Sequence, residues 1–114
     1  MIDFDGIIER TDQFWLVESK EKDAGGNEGE PYFGWDSRRL AWYLYLQNCC
    51  GLKTLYIIRQ VNNQEERRFV DWKYITLDDF AVSASWLSER GGGGGSGTIT
   101  APLTAFNRLN DLFG

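Results

Sequence analysis

The chain has 114 residues, 12 of them basic and 17 acidic, with no histidine and a net charge of −5. Such a length buries one small core, and the acidic balance argues against a surface that neutralises nucleic-acid phosphates. The lack of histidine removes Ser-His and Cys-His nucleophile pairs and most zinc sites.

No apolar run approaches the roughly eighteen residues of a membrane span, and residues 1–10 lack the basic start of a signal peptide, so a cytoplasmic protein without a membrane partner is expected. Residues 2–20 hold two short apolar runs around the polar Thr11, Asp12 and Gln13, which predicts a hairpin. In the second run Phe14 and Leu16 oppose Trp15 and Val17, so both faces are apolar and the strand should be central. Residues 21–34 turn polar and glycine-rich and read as a loop leading into the aromatic cluster Tyr32, Phe33 and Trp35. Asp36 or Ser37 then caps a helix that runs to Asn48 or Cys50, with Gly51 as its left-handed stop. Because this helix is apolar nearly all round, it is expected to be covered on several sides, with Cys49 and Cys50 as two buried thiols.

Residues 53–61 and 67–75 are strand-like and are joined through asparagines that tolerate a turn's positive φ. Of these two strands, residues 67–75 are expected at a sheet edge. Thr76-Leu77-Asp78-Asp79 has capping-box spacing and opens a helix expected to reach about Glu89. The order ββαββα predicts a single small α+β domain, a three- to four-stranded sheet packed with two helices. Trp15, Trp42, Leu55, Ile57 and Phe80 are the expected core.

Residues 91–97 read GGGGGSG, which has no side chain to bury and maximal backbone freedom, and has the character of an engineered flexible joint. It separates a domain of residues 1–90 from a tail of residues 98–114. The charges of Arg108 and Asp111 cancel in the tail, so the whole net charge lies in the domain. The tail starts extended, carries Pro102 where a first helical turn tolerates it, and then spaces Leu103, Phe106, Leu109 and Phe113 as one side of a short amphipathic helix. A helix this short is not stable alone, so the tail reads as a tethered ligand peptide from a partner protein. The tether would hold it at roughly millimolar local concentration. Leu103, Phe106, Leu109 and Phe113 are then the anchors, and Tyr32, Phe33, Trp35, Trp72 and Trp86 the peptide-binding face. Were that face beyond the tether's reach of about 25 Å, a tail-swapped dimer would follow.

Two resemblances add expectations. Asp5, followed thirteen residues later by Glu18-Ser19-Lys20 at a strand end, with a helix and an apolar strand after it, resembles the core of the PD-(D/E)xK nuclease superfamily over residues 4–59. The resemblance implies acids Asp5 and Glu18 that hold Mg²⁺ and a Lys20 that orients the attacking water. The family's Pro-Asp pair is missing here, and no basic groove is evident, so nuclease activity is the alternative reading. The aromatic residues 35–46 and the tethered tail resemble the cyanobacterial carboxysome accessory proteins of the CcmS type. That resemblance implies a non-enzymatic adaptor or assembly factor, without cofactor or metal, that binds the C-terminal tail peptide of a hexameric carboxysome shell protein and assists its assembly. An immunity-type role, with Glu28, Glu30, Glu65 and Glu66 facing a basic partner, is a third option.

Overall fold

The computed structural model describes residues 6–10, 13–24, 31–62, 65–86, 90–91 and 97–110. The first hairpin forms as the sequence suggests, β1 (Gly6–Arg10) lying antiparallel to β2 (Gln13–Asp23), with Gly6 opposite Val17. The chain then enters β3 (Tyr32–Asp36) and α1 (Ser37–Cys50) before returning as β4 (Lys53–Asn62), which pairs in parallel with β2. This crossover through α1 makes the sheet mixed, because parallel neighbours need a connection that returns across the sheet. β5 (Arg68–Thr76) closes an antiparallel pair with β4, with a register shift at Gln60/Val61. Among the described residues of this connection, Arg67 takes a positive φ of 50°.

Local signals explain the helices. Asp36 accepts hydrogen bonds from the backbone N–H groups of Arg38 and Arg39, and Gly51 takes φ 70°, donating to the Gln47 carbonyl at 3.0 Å. Thr76 caps α2 (Leu77–Ser83) by accepting from Asp79 N–H at 3.1 Å, with Asp78 and Asp79 favouring the positive end of the helix dipole. The expected α+β domain is therefore present: the strands β1-β2-β4-β5 form a mixed sheet that packs with two helices.

Several expectations need correction. α2 stops at Ser83, short of Glu89, because the Ser85 N–H donates to Thr100 and the Ala81 carbonyl accepts from the Trp86 indole instead. α1 is not covered all round: Leu40 and Tyr43 are buried, whereas Trp42 is 46% and Tyr45 57% exposed, since the helix lies on the sheet with one side only. Trp42 is thus not core, Trp15 and Ile57 are half-buried, and Leu55 and Phe80 are core as expected. Cys49 and Cys50 are exposed thiols in the last turn of α1.

The largest revision concerns the tail. Its start is extended as expected, in β7 (Gly97–Pro102), but a 3₁₀ turn at Leu103–Ala105 and β8 (Asn107–Arg108) follow where an amphipathic helix was expected. β7 sits between β3 and the short β6 (Arg90–Gly91) in a second, three-stranded sheet, while β8 extends the first sheet beyond β5. Pairing with β3 on one side and β6 on the other satisfies the backbone polar groups of β7, which a short helix with a costly nucleus does not. Arg90 lies opposite Thr98 and Gly91 opposite Gly97, so the two ends of the glycine run are about 5 Å apart.

Candidate functional site

Two places in this fold combine buried polar or aromatic groups with residues singled out in the sequence. The first is Glu18, fully buried on β2. Its Oε1 accepts from Arg39 Nε at 3.0 Å, and its Oε2 accepts from Arg39 Nη2 at 2.7 Å and from the Tyr43 hydroxyl at 2.5 Å. Residues Arg39 and Tyr43 are one turn apart on α1, so the helix presents a fork and a hydroxyl to the same carboxylate. Lys20 reaches Oε1 only at 3.5 Å, and its side chain is half exposed. Burial, and then the bond to Glu18, push the Tyr43 hydroxyl well above its ordinary value, so it remains a donor throughout the physiological range. The Arg39 guanidinium is held charged by the same hydrogen bonds.

Divalent magnesium binds through free carboxylate oxygens. Both oxygens of Glu18 are already bonded, and the positive charge beside them is a guanidinium. The residues around Glu18 therefore do not fit a divalent ion in this arrangement. Asp5 lies outside the described residues, and among those described no group of three or more His, Cys, Asp or Glu converges.

The second place is the seat of the tail. β3 and β7 pair antiparallel, with Tyr32 opposite Pro102, Phe33 opposite Ala101, Gly34 opposite Thr100 and Trp35 opposite Ile99. Ile99, Thr100, Ala101 and Phe106 are all buried and, except for Thr100, belong to the same apolar cluster as Phe33, Trp35, Tyr56 and Phe80. The Phe106 ring meets Phe33 edge-on at 5.1 Å and lies 6.4 Å from both Tyr56 and Phe80. The Tyr56 hydroxyl donates to the Gly34 carbonyl at 2.7 Å, tying the receiving strand to the main sheet. Leu103 N–H donates to the Pro31 carbonyl and Leu109 N–H to the Trp72 carbonyl, both at 2.9 Å.

The sequence-derived face is thus distributed as follows. Phe33 and Trp35 are buried on the strand that pairs with the tail, and Tyr32 opens that strand. Trp72 offers its backbone carbonyl, and Trp86 is exposed, with its indole on α2. Among the anchors, Phe106 is buried, Leu103 and Leu109 are half-buried, and Phe113 lies outside the described residues. Ile99 and Ala101 were not foreseen as anchors. Their alternation with Thr98 and Thr100 is the strand signal that could have found them.

No protein-family model matches the chain, and no curated protein sequence does. A solved structure does: that of Archaeoglobus fulgidus Hjc, a Holliday junction resolvase, superposes with a TM-score of 0.54 over 95% of this chain and 71% of the archaeal one, at 4% identity. The likeness is one of fold. It counts against the expectation that the chain is not an enzyme, because the fold is shared with a protein named as a Holliday junction resolvase. Among the described residues no helix is long and apolar enough to cross a membrane.

Proposed function

We propose that residues 1–90 capture an extended peptide by strand addition, as an adaptor or assembly factor would, and that residues 98–114 are such a ligand delivered across the 91–97 joint. The observation that carries this reading is that Ile99, Ala101 and Phe106 complete the apolar core of the domain rather than rest on its surface. Main-chain pairing to β3 supplies affinity, and the buried side chains supply selectivity. The partner consistent with the sequence resemblance is the C-terminal tail of a carboxysome shell protein. The test uses the full chain with Phe106→Ala, which weakens its own tail, and a fluorescein-labelled peptide of residues 97–110. Saturable binding in the micromolar range supports capture, and no binding at several hundred micromolar refutes it.

The shared fold with the resolvase favours a second reading, nuclease chemistry centred on Asp5, Glu18 and Lys20. It requires Glu18 to exchange Arg39 and Tyr43 for other partners. Cleavage of linear or four-way DNA in Mg²⁺ that disappears in Lys20→Ala supports it. Absence of cleavage in the parent chain, or cleavage unchanged in Lys20→Ala and Glu18→Gln, removes it.

A further inference from the structure

We infer that the groove reads a defined linear motif: a β-branched residue, a long aliphatic, a small polar residue, alanine, proline, a three-residue turn and then an aromatic, as in Thr98-Ile99-Thr100-Ala101-Pro102-x-x-x-Phe106. The inference rests on the capture reading above and says which peptides qualify.

Each position has its own cause. Ile99, Thr100 and Ala101 are consecutive and all buried, so both faces of the added strand are covered and both filter by size. Ala101 is 1% exposed within the core cluster, where added methylenes force neighbours off their rotamers. Pro102 takes φ −64°, the value its ring imposes, and the next N–H, that of Leu103, still donates to the carbonyl of Pro31, the residue opposite it in the same register, before the chain enters the 3₁₀ turn. The 3₁₀ turn closes through Phe106 N–H onto the Leu103 carbonyl at 3.0 Å, and this sets the three-residue spacing that delivers Phe106 among Phe33, Tyr56 and Phe80.

Gly34 reads the first position. A Cβ built there would stand 2.2 Å from the Thr98 γ-methyl yet 3.6 Å from the Thr98 Cβ. The bare glycine therefore admits the γ-methyl of a β-branched residue diagonally across the strand pair, whereas an alanine at 34 would force that methyl out of its place and spare a ligand that stops at Cβ. Beyond Phe106, Leu109 is held by its backbone N–H on the Trp72 carbonyl, a contact indifferent to side chain, and the exposed Arg108 donates from Nε to Asp71 at 2.7 Å. The buried part of the motif thus ends at the aromatic.

Fluorescence anisotropy with labelled 97–110 peptides tests this on two full-length receptors. One carries Ile99→Ala and Phe106→Ala in its own tail. The other is the parent chain, cut at a protease site inserted within the glycine run, which leaves every groove residue unchanged if the first receptor folds poorly. Peptides with Ala101→Leu or Phe106→Ala should bind about tenfold more weakly than the parent peptide, or worse. In a receptor with Gly34→Ala the parent peptide should weaken similarly, and Thr98→Ala in the peptide should restore the loss. Parent-like binding by the Ala101→Leu and Phe106→Ala peptides, or no rescue by Thr98→Ala, overturns the motif while capture stands. Failure of the parent peptide to bind either receptor overturns capture and the motif together.

Discussion

Replacing Phe106 with alanine probes how far the tail belongs to the core. The side chain is 6% exposed and surrounded by three aromatic rings, and truncating such a phenylalanine costs about 3–5 kcal/mol where the site cannot relax. On the capture reading there is a ceiling, because a docked tail can leave. A micromolar ligand at a millimolar effective concentration stabilises its receptor by about 4 kcal/mol, and a variant that has lost all of it can lose no more. Phe106→Ala should therefore cost about 3–4 kcal/mol in urea unfolding monitored by tryptophan fluorescence. Adding Ile99→Ala to it should cost little more, although Ile99→Ala alone costs about 2 kcal/mol or more. A Phe106→Ala loss below about 1 kcal/mol would mean that the ring is dispensable. Losses from the two changes that simply add, well past the ceiling, would mean that the tail is an inseparable part of the fold and not a docked ligand.

Other outcomes follow from the polar contacts. Glu18→Gln leaves the Arg39 fork facing a neutral group in a buried site, and unfolding should move by about 3 kcal/mol, while Tyr43→Phe, which removes one bond to a charged acceptor, should cost about 1.5–3 kcal/mol; equal stability of parent and Glu18→Gln in a denaturant titration would discredit the ion-pair reading. Asp78 has its pKa lowered, first by the Gln47 amide and then by Lys53. Its contribution is present above the ordinary value of 3.8 and is lost as pH falls through the lower folded value, so Asp78→Asn should flatten the acid limb of a stability profile below about pH 4 and leave the rest parallel. Both thiols should react with a maleimide in the native protein, since they are exposed, and labelling that requires denaturant would contradict their placement. The Cys50 thiol, raised by its hydrogen bond to Cys49, should gain more from a move to alkaline pH than a free cysteine does.

Much of the main sheet was legible from short-range chemistry. The pairing of β1 with β2, the Asp36 and Thr76 caps and the Gly51 stop are decided by residues within a few positions of one another, and all took the expected form. The apolar run of β2 likewise announced a strand covered on both sides, and it lies between β1 and β4. β3 was hidden, since five residues ending in Trp35-Asp36 form a strand only because β7 is there to pair with them. For the same reason the helical spacing of Leu103, Phe106 and Leu109 misled: periodicity reports a helix's inner face only when the peptide must bury one side by itself, and this peptide pairs with β3, β5 and β6 instead.

Glu18 shows the same division. An acid, one residue and a lysine at a strand end resemble a metal-binding arrangement when read along the chain. What the carboxylate does depends on Arg39 and Tyr43, twenty-odd residues away, which α1 brings onto both of its oxygens. By itself the sequence determined the local elements of the main sheet and the acidic charge, because each depends on neighbouring residues or on composition alone. Only the tertiary structure decided that the tail is a strand, that its aromatic fills the core and that Glu18 is paired with arginine, because those depend on which distant surfaces are left open when the sheet closes.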